Sequence, residues 1–300
     1  MTTLGLGSAP LGGLFEPVAD DEALRTVEAA WDAGIRFFDT APLYGHGLAE
    51  RRLGEVLRAK PRDEFVIATK VGRLLRADAP AEPGQAYKGV PPLNPVFDFS
   101  YDGVMRSVEE SLERLGLDRV DVLHIHDPDD HYDEALQGAY RALDRLRAEG
   151  SVKAVGAGMN QAEMLARFAR AADFDCFLLA GRYTLLDRIG ETELLPLCVE
   201  KNIAIIAGGV FNSGILADPR PGATFNYQAA PSELVVRAQG LRETCRQHGV
   251  DLKAAAIQFP LRNPAVATVL TGCRSVAEVE ENVGMFHSPI PDDLWPELDA

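Results

Sequence analysis

The chain has little cysteine, no long apolar run and a deficit of basic charge. Its four cysteines, Cys176, Cys198, Cys245 and Cys273, form no C-x-x-C pair and no disulfide framework. Buried reduced thiols are the expectation. No apolar stretch approaches the roughly 18 residues of a membrane span. The N-terminus lacks a basic region leading into an apolar one, so a cytoplasmic protein with no membrane partner is expected. Lysine and arginine number 30 against 45 acids, a net charge of −15, which argues against a nucleic-acid partner. The acids are dispersed, as on an ordinary soluble surface. There is no G-x-S-x-G, so a serine hydrolase finds no support. GLGSAP begins like G-x-G-x-x-G, but Pro10 stands where the third glycine belongs, which speaks against a Rossmann fingerprint.

What the sequence has in quantity is alternation. An apolar opening strand in TTLGLG leads to a helix from Asp20, with Leu24, Val27, Ala30 and Trp31 on one stripe and Gly34 at its end. Strands follow at 36–39, 65–71, 120–126, 152–157, 176–180, 203–207 and 265–271. Helices interleave at 48–59, 101–115, 133–149, 162–172, 193–201, 232–249, 252–262 and 276–286. The strands are short and apolar on both faces, as parallel strands covered by helices are. Strict alternation with no repeat, linker or composition break predicts an α/β fold, a single (β/α)8 barrel domain. A doubly wound sheet is the alternative. Two irregular stretches interrupt the series. Residues 72–100 are rich in proline and glycine and read as a lid, a binding loop or a disordered insert; residues 211–231 are the second.

The series is organised around residues 36–50, RFFDTAPLYGHGLAE. Asp39 ends a strand, Tyr44 sits on the following loop, and a helix starts near Leu48. A phenol is a poor acid–base group at neutral pH unless a nearby cation stabilises its ionised form. Lys70, at the end of FVIATKV, is the candidate cation, with Asp39 to hold it. Side chains alternate along a strand, so Phe37 and Asp39 share a face, as do Val66, Ala68 and Lys70, and Val122, His124 and His126. Three adjacent strands each thus end an apolar inward face in one polar residue, which a site at a barrel mouth requires. Taken singly, Asp39 and Lys70 would read as a structural ion pair and His126 as a core histidine.

DTAPLYGHGLAERRLGEVL, VIATKVG and DVLHIHDP resemble the signature segments of the aldo-keto reductases, in order and over nearly the full length. The resemblance implies a (β/α)8 barrel that binds a nicotinamide dinucleotide without a Rossmann domain, and a catalytic tetrad of Asp39, Tyr44, Lys70 and His126. In that scheme Tyr44 exchanges a proton with the reacting oxygen. Lys70 lowers the phenol's pKa, Asp39 orients Lys70, and His126 hydrogen-bonds the substrate. His124 reads as a packed neighbour.

VLTGCRSVAEVEENV resembles the family's adenosine-binding turn, ending in Glu281 and Asn282. NADPH-dependent members commonly carry two cations where this chain has Gly272 and Glu278, which points to NAD, with Arg274 as the residue that would permit NADP. IIAGGVFNSGILA resembles the loop over the pyrophosphate, with Asn212, Ser213, Gly214 and Leu216 matched. The chain departs from the family at Gly208, where an aromatic residue is usual, and at Ala180, where glutamine is usual. Met159 and Asn160 replace serine–asparagine, and Asn160 or Gln161 is the expected substitute at the nicotinamide.

A tryptophan often follows the family's histidine; here it is Asp127, and His46 follows Tyr44 closely. Both are candidate substrate residues, and a polar mouth suits a polyhydroxylated substrate. Asp129 and Asp130 read as an acidic helix start. GAGMNQ, GRYTLLD and GGVFNSGIL resemble the branch of aldose dehydrogenases acting on L-fucose, L-galactose and D-threo-aldoses, which implies oxidation of a small-molecule sugar or aldehyde by a monomer or homodimer. Pyridoxal oxidation and generic NADPH-dependent carbonyl reduction are the nearest alternatives. From other classes, His124-x-His126 imitates the ligands of a metal-dependent barrel hydrolase, although no metal site is expected. A redox-sensing subunit would not need the four tetrad positions intact.

Overall fold

The computed structural model describes residues 1–81 and 86–299, and at its centre eight parallel strands close into a barrel. In chain order they are β1 (Leu4–Gly7), β2 (Phe37–Asp39), β3 (Val66–Val71) and β4 (Val122–His126). Then come β5 (Ala154–Met159), β6 (Cys176–Ala180), β7 (Ala204–Gly208) and β8 (Val266–Gly272). Strand β8 closes on β1 from Leu4↔Val269 to Gly7↔Gly272, so TTLGLG belongs to the barrel wall. The sheet is closed rather than open and doubly wound.

Alternation along each strand builds two cores. Phe37, Ala68, Val122, Leu178, Ile206 and Leu270 point inward and fill the barrel. Their neighbours Phe38, Ile67, Leu123, Phe177, Ile205 and Val269 join the larger core beneath the helices. Each of the larger side chains contributes about 1.5–3 kcal/mol when fully buried.

The covering helices include α1 (Asp20–Asp32), α2 (Leu48–Leu57), α3 (Tyr101–Leu115), α4 (Tyr140–Ala148) and α5 (Ala162–Ala171). They continue with α6 (Leu194–Lys201), α7 (Ser232–Gln247), α8 (Leu252–Gln258), α9 (Val276–His287) and α10 (Leu294–Asp299). Local chemistry sets their ends. Asp20, Asp21 and Glu22 crowd the first turn of α1, where the helix dipole favours acids. Ser100 caps α3 by accepting from Gly103, and Gly116 closes it in the left-handed region. None of the described helices is long and apolar enough to cross a membrane.

The sequence pattern and the structure differ in three places. The helix expected over 133–149 contains a π-turn at Ala135–Ala139, within which Gly138 lies where a side chain would collide with the Phe99 carbonyl. Strand β5 runs two residues further than the pattern indicated and brings Gly158 and Met159 to the rim. The 72–100 stretch is partly ordered: Arg73–Arg76 pairs antiparallel with Asn94–Phe97, and Tyr87 bridges to Leu14, while 82–85 lie outside the described residues. In 211–231, a 3₁₀ turn at Asn212–Gly214 precedes a hairpin of Thr224–Phe225 with Gln228–Ala229.

Candidate active site

Asp39, Lys70 and His126 stand at the C-terminal ends of β2, β3 and β4. Asp39 pairs in register with Ala68, and Lys70 with His124, so the polar residue climbs two positions from strand to strand. That stagger is the tilt of strands in a closed barrel. Lys70 is the hub. Its Nζ donates to Asp39 Oδ1 at 2.7 Å, to the Thr40 carbonyl at 2.9 Å and to the Tyr44 hydroxyl at 2.9 Å. Three acceptors match the three hydrogens of an ammonium. Because the phenol oxygen accepts from Lys70, Tyr44 keeps its own O–H to donate elsewhere. The Tyr44 ring meets His126 edge-on, with centroids 5.7 Å apart.

Burial dominates the electrostatics. It pushes the Tyr44 phenol well above its ordinary value, with Asp39, Asp127 and Tyr227 pushing the same way and Arg73 opposing. The phenol therefore keeps its proton at neutral pH. Burial and the two nearby carboxylates act against the lowering expected from a cation. Burial, with Lys70, Arg73 and His124, holds the His126 imidazole well below its ordinary range, hence neutral. His124, pushed down to about 3, turns Nε2 to the Cys176 thiol at 3.5 Å. Among the described residues no group of three or more His, Cys, Asp or Glu could hold a metal ion. Asp127 is pushed up to about 6 by burial, against the pull of Arg73. Its Oδ2 lies 3.5 Å from His126 Nε2 and 3.4 Å from Arg73 Nη2.

Over these groups lies a cavity of about 240 Å³, lined by Tyr44, Lys70, Tyr87, His126, Asp127 and Tyr227 among others. It adjoins a cleft of about 390 Å³, and the two share Leu14, Asn160, Ala180 and Tyr227. The cleft passes over the ends of β7 and β8 to the start of α9. Asn160, Asn212, Ser213, Gly214, Gly272, Arg274, Glu278, Glu281 and Asn282 all line it. Several of these are already engaged. Asn160 Nδ2 donates to the Ala180 carbonyl at 3.0 Å, and Asn212 Nδ2 to the Gly181 carbonyl at 3.1 Å. The Glu278 carboxylate accepts from the Arg274 backbone N–H at 2.8 Å, and Asn282 donates to Cys273 Sγ at 3.2 Å.

Three candidates fall outside. Gln161 is exposed and donates to Asp129, because its neighbour Asn160 takes the inward position at the end of β5. Leu216 is fully buried in the outer core, and its N–H donates to the Phe211 carbonyl at 3.1 Å. His46, at φ +51°, is turned from the cavity; its ring bonds the Leu93 carbonyl and pins the 72–100 segment. Conversely, the sequence did not single out Tyr87, Tyr227 or Arg73. All three lie in the irregular stretches themselves, where for the two tyrosines an aromatic residue amid glycine and proline was the available signal. Asp127 is the one carboxylate lining the catalytic cavity among the described residues.

Residues 3–300 match the sequence profile of the Aldo/keto reductase family. The chain is 46% identical to a D-threo-aldose 1-dehydrogenase from a Pseudomonas species, over 98% of its length and 92% of that protein's. It is 44% identical to a pyridoxal 4-dehydrogenase from Microbacterium luteolum, over 99% and 93% of the two lengths. An aldo-keto reductase from Bacillus halodurans, solved in its holo form, superposes with a TM-score of 0.76 at 25% identity, covering 99% of this chain and 91% of that one. The protein belongs to the aldo/keto reductase family, oxidoreductases that act on CH–OH and aldehyde groups with nicotinamide cofactors.

Proposed function

We propose that the chain is an NAD-preferring aldose 1-dehydrogenase, oxidising a sugar of the L-fucose, L-galactose or D-arabinose type at C1 to its lactone. The observation that carries the chemistry is the Lys70 hub, which ties Asp39 and Tyr44 together beside His126. In oxidation Tyr44, as phenolate, takes the C1 hydroxyl proton. In reduction its phenol returns that proton to the carbonyl oxygen. Lys70 stabilises the phenolate, Asp39 fixes Lys70, and the neutral His126 donates to the reacting oxygen.

The cleft fits a dinucleotide. Gly214, at φ +111°, has nothing within 4 Å of where a Cβ would stand, and Gly209 and Gly272 leave bare backbone along the same wall. When bound, the nicotinamide accepts or supplies the hydride. Asn160 and Asn212 to Gly214 would hold the nicotinamide and pyrophosphate portions, and Glu281 and Asn282 the adenosine. The NAD preference is supported by the far end of the cleft, where each cation already faces a carboxylate: Arg274 with Glu16 at 3.3 Å and Lys253 with Glu281. A 2′-phosphate there would meet Glu278 as well.

Asp127 supports a polyhydroxylated substrate, since its carboxylate can accept from sugar hydroxyls beside His126. A second reading, pyridoxal oxidation, is favoured by the rest of the lining, where Leu14, Leu43, Met159 and Leu178 join Tyr87 and Tyr227. Initial rates at 340 nm with L-fucose, L-galactose, D-arabinose and pyridoxal, each with NAD and with NADP, separate the readings. NADH formation on a sugar supports the proposal. Turnover of pyridoxal alone shifts the substrate, and NADPH oxidation with simple aldehydes alone sinks both the sugar and the NAD assignments.

A further inference from the structure

Three consecutive residues of β3 hold both ends of the loop that carries Tyr44. The Ala68 carbonyl accepts from the Thr40 N–H at 2.9 Å. Lys70 Nζ donates to the Thr40 carbonyl and to the Tyr44 hydroxyl. Thr69 lies between them, and its hydroxyl donates to Glu50 Oε1 at 2.7 Å. Glu50 belongs to the first turn of α2, the helix that the Tyr44 loop runs into; the Ala49 N–H donates to the Tyr44 carbonyl. One end of the loop is thus tied to Ala68 and Lys70, and the other to the residue between them.

Glu50 is fully buried, and Arg114 of α3 donates through Nε to its second oxygen. Arg114 reaches it across the start of α2 because Gly47 has no side chain; a Cβ there would stand 2.6 Å from Arg114 Cδ. On the opposite flank Arg52, also buried, donates to the carbonyls of Leu11 and Val18. It holds α2 against the segment where Gly12 meets the Tyr44 loop, and a Cβ on Gly12 would stand 2.6 Å from Gly45 N.

A buried carboxylate is expensive to dehydrate, and an apolar residue of similar volume would pack α2 against β3 at lower cost. What the carboxylate adds is direction. We propose that Glu50 is a positioning residue which, through the Thr69 hydroxyl, fixes the Tyr44 loop relative to Lys70. Glu50 and Thr69 line neither cavity, so they act through that geometry and not on substrate. The inference rests on Tyr44 as the acid–base group.

The test is a set of substitutions at Thr69, read by kcat, by KM for the dinucleotide, and by hydrogen exchange of the amides of residues 44–49. Thr69→Val removes the hydroxyl at nearly constant volume, and Thr69→Ser restores it. Small misplacements of reacting groups cost large rate factors, so Thr69→Val is expected to lower kcat by about tenfold or more. The dinucleotide KM should hold, the loop amides should exchange faster, and Thr69→Ser should behave as wild type. In a Tyr44→Phe background Thr69→Val should cost nothing further. Glu50→Gln, which keeps an oxygen for Thr69, should retain more kcat than Glu50→Ala. A Thr69→Val enzyme with unchanged kcat and a lower melting temperature would overturn the proposal, as would an equal loss in the Tyr44→Phe background. If wild type turns over none of the substrates, the dehydrogenase reading fails on its own. Hydrogen exchange then decides the brace, and unchanged exchange at 44–49 would overturn it.

Discussion

The two ends of the cleft are built differently. At the catalytic end, Lys70 binds Asp39, Thr40 and Tyr44 directly, and Lys70 and Asp39 are both almost wholly buried. The side chains come from adjacent strands whose backbones are fixed by the barrel. At the dinucleotide end the lining is loop backbone at positive φ, as at Ser213 and Gly214, and half-exposed ion pairs such as Arg274–Glu16. The first end is held by neighbouring, directly paired strands of the barrel. The second is a groove of small residues and compensated charges. Substitutions at the catalytic end should therefore cost rate and stability together, and those at the far end should exchange one cofactor for another.

The largest effect that would break this contrast is at Lys70. Lys70→Met leaves the Asp39 carboxylate buried without its cation, and breaking a buried pair in this way costs about 3–5 kcal/mol. Thermal melting should fall steeply and turnover at 340 nm should vanish. Adding Asp39→Asn should recover part of the melting temperature and none of the turnover. An unchanged melting temperature in Lys70→Met would mean that the ion pair is not what holds the mouth together.

A smaller effect sharpens the other side. Glu278→Lys removes the carboxylate bound to the Arg274 backbone and puts a cation in its place. The ratio of kcat/KM for NADP to that for NAD should rise about tenfold, equivalent to about 1.4 kcal/mol, with kcat on NAD nearly unchanged. No change in the ratio would show that the far end of the cleft does not select the cofactor.

The same contrast explains what the sequence revealed. Asp39, Lys70 and His126 were legible because a period of two assigns each to the inward face, and the barrel then brings adjacent strand ends together. Tyr44 was legible by its motif. His46 was misread because proximity in sequence to Tyr44 says nothing of direction; a backbone at φ +51° sends the ring to the Leu93 carbonyl. Gln161 and Asn160 are neighbours with opposite fates, decided by where β5 ends, and that end lay two residues beyond the apolar pattern. Tyr87 reaches the cavity through a long-range pairing with Leu14, and Tyr227 stands in the turn of the hairpin that pairs Phe225 with Gln228; strand and helix periodicity encode neither. The groups that act against a lowered Tyr44 pKa were hidden for a related reason: Lys70 was visible in the sequence, whereas burial and the approach of Asp127 were not.

The central claim is that Tyr44 moves the proton, and the pH dependence of kcat/KM in both directions, for wild type and Tyr44→Phe, tests it most directly. Because the phenol's pKa is raised, wild-type oxidation should climb with pH well into the alkaline range, while reduction, which needs the protonated phenol, should stay level through neutrality. Tyr44→Phe should lose about 10²–10⁴-fold in both directions, with the alkaline climb gone and dinucleotide binding unchanged by fluorescence titration. A Tyr44→Phe enzyme that keeps the climb and most of the rate would place the acid–base group elsewhere in the cavity.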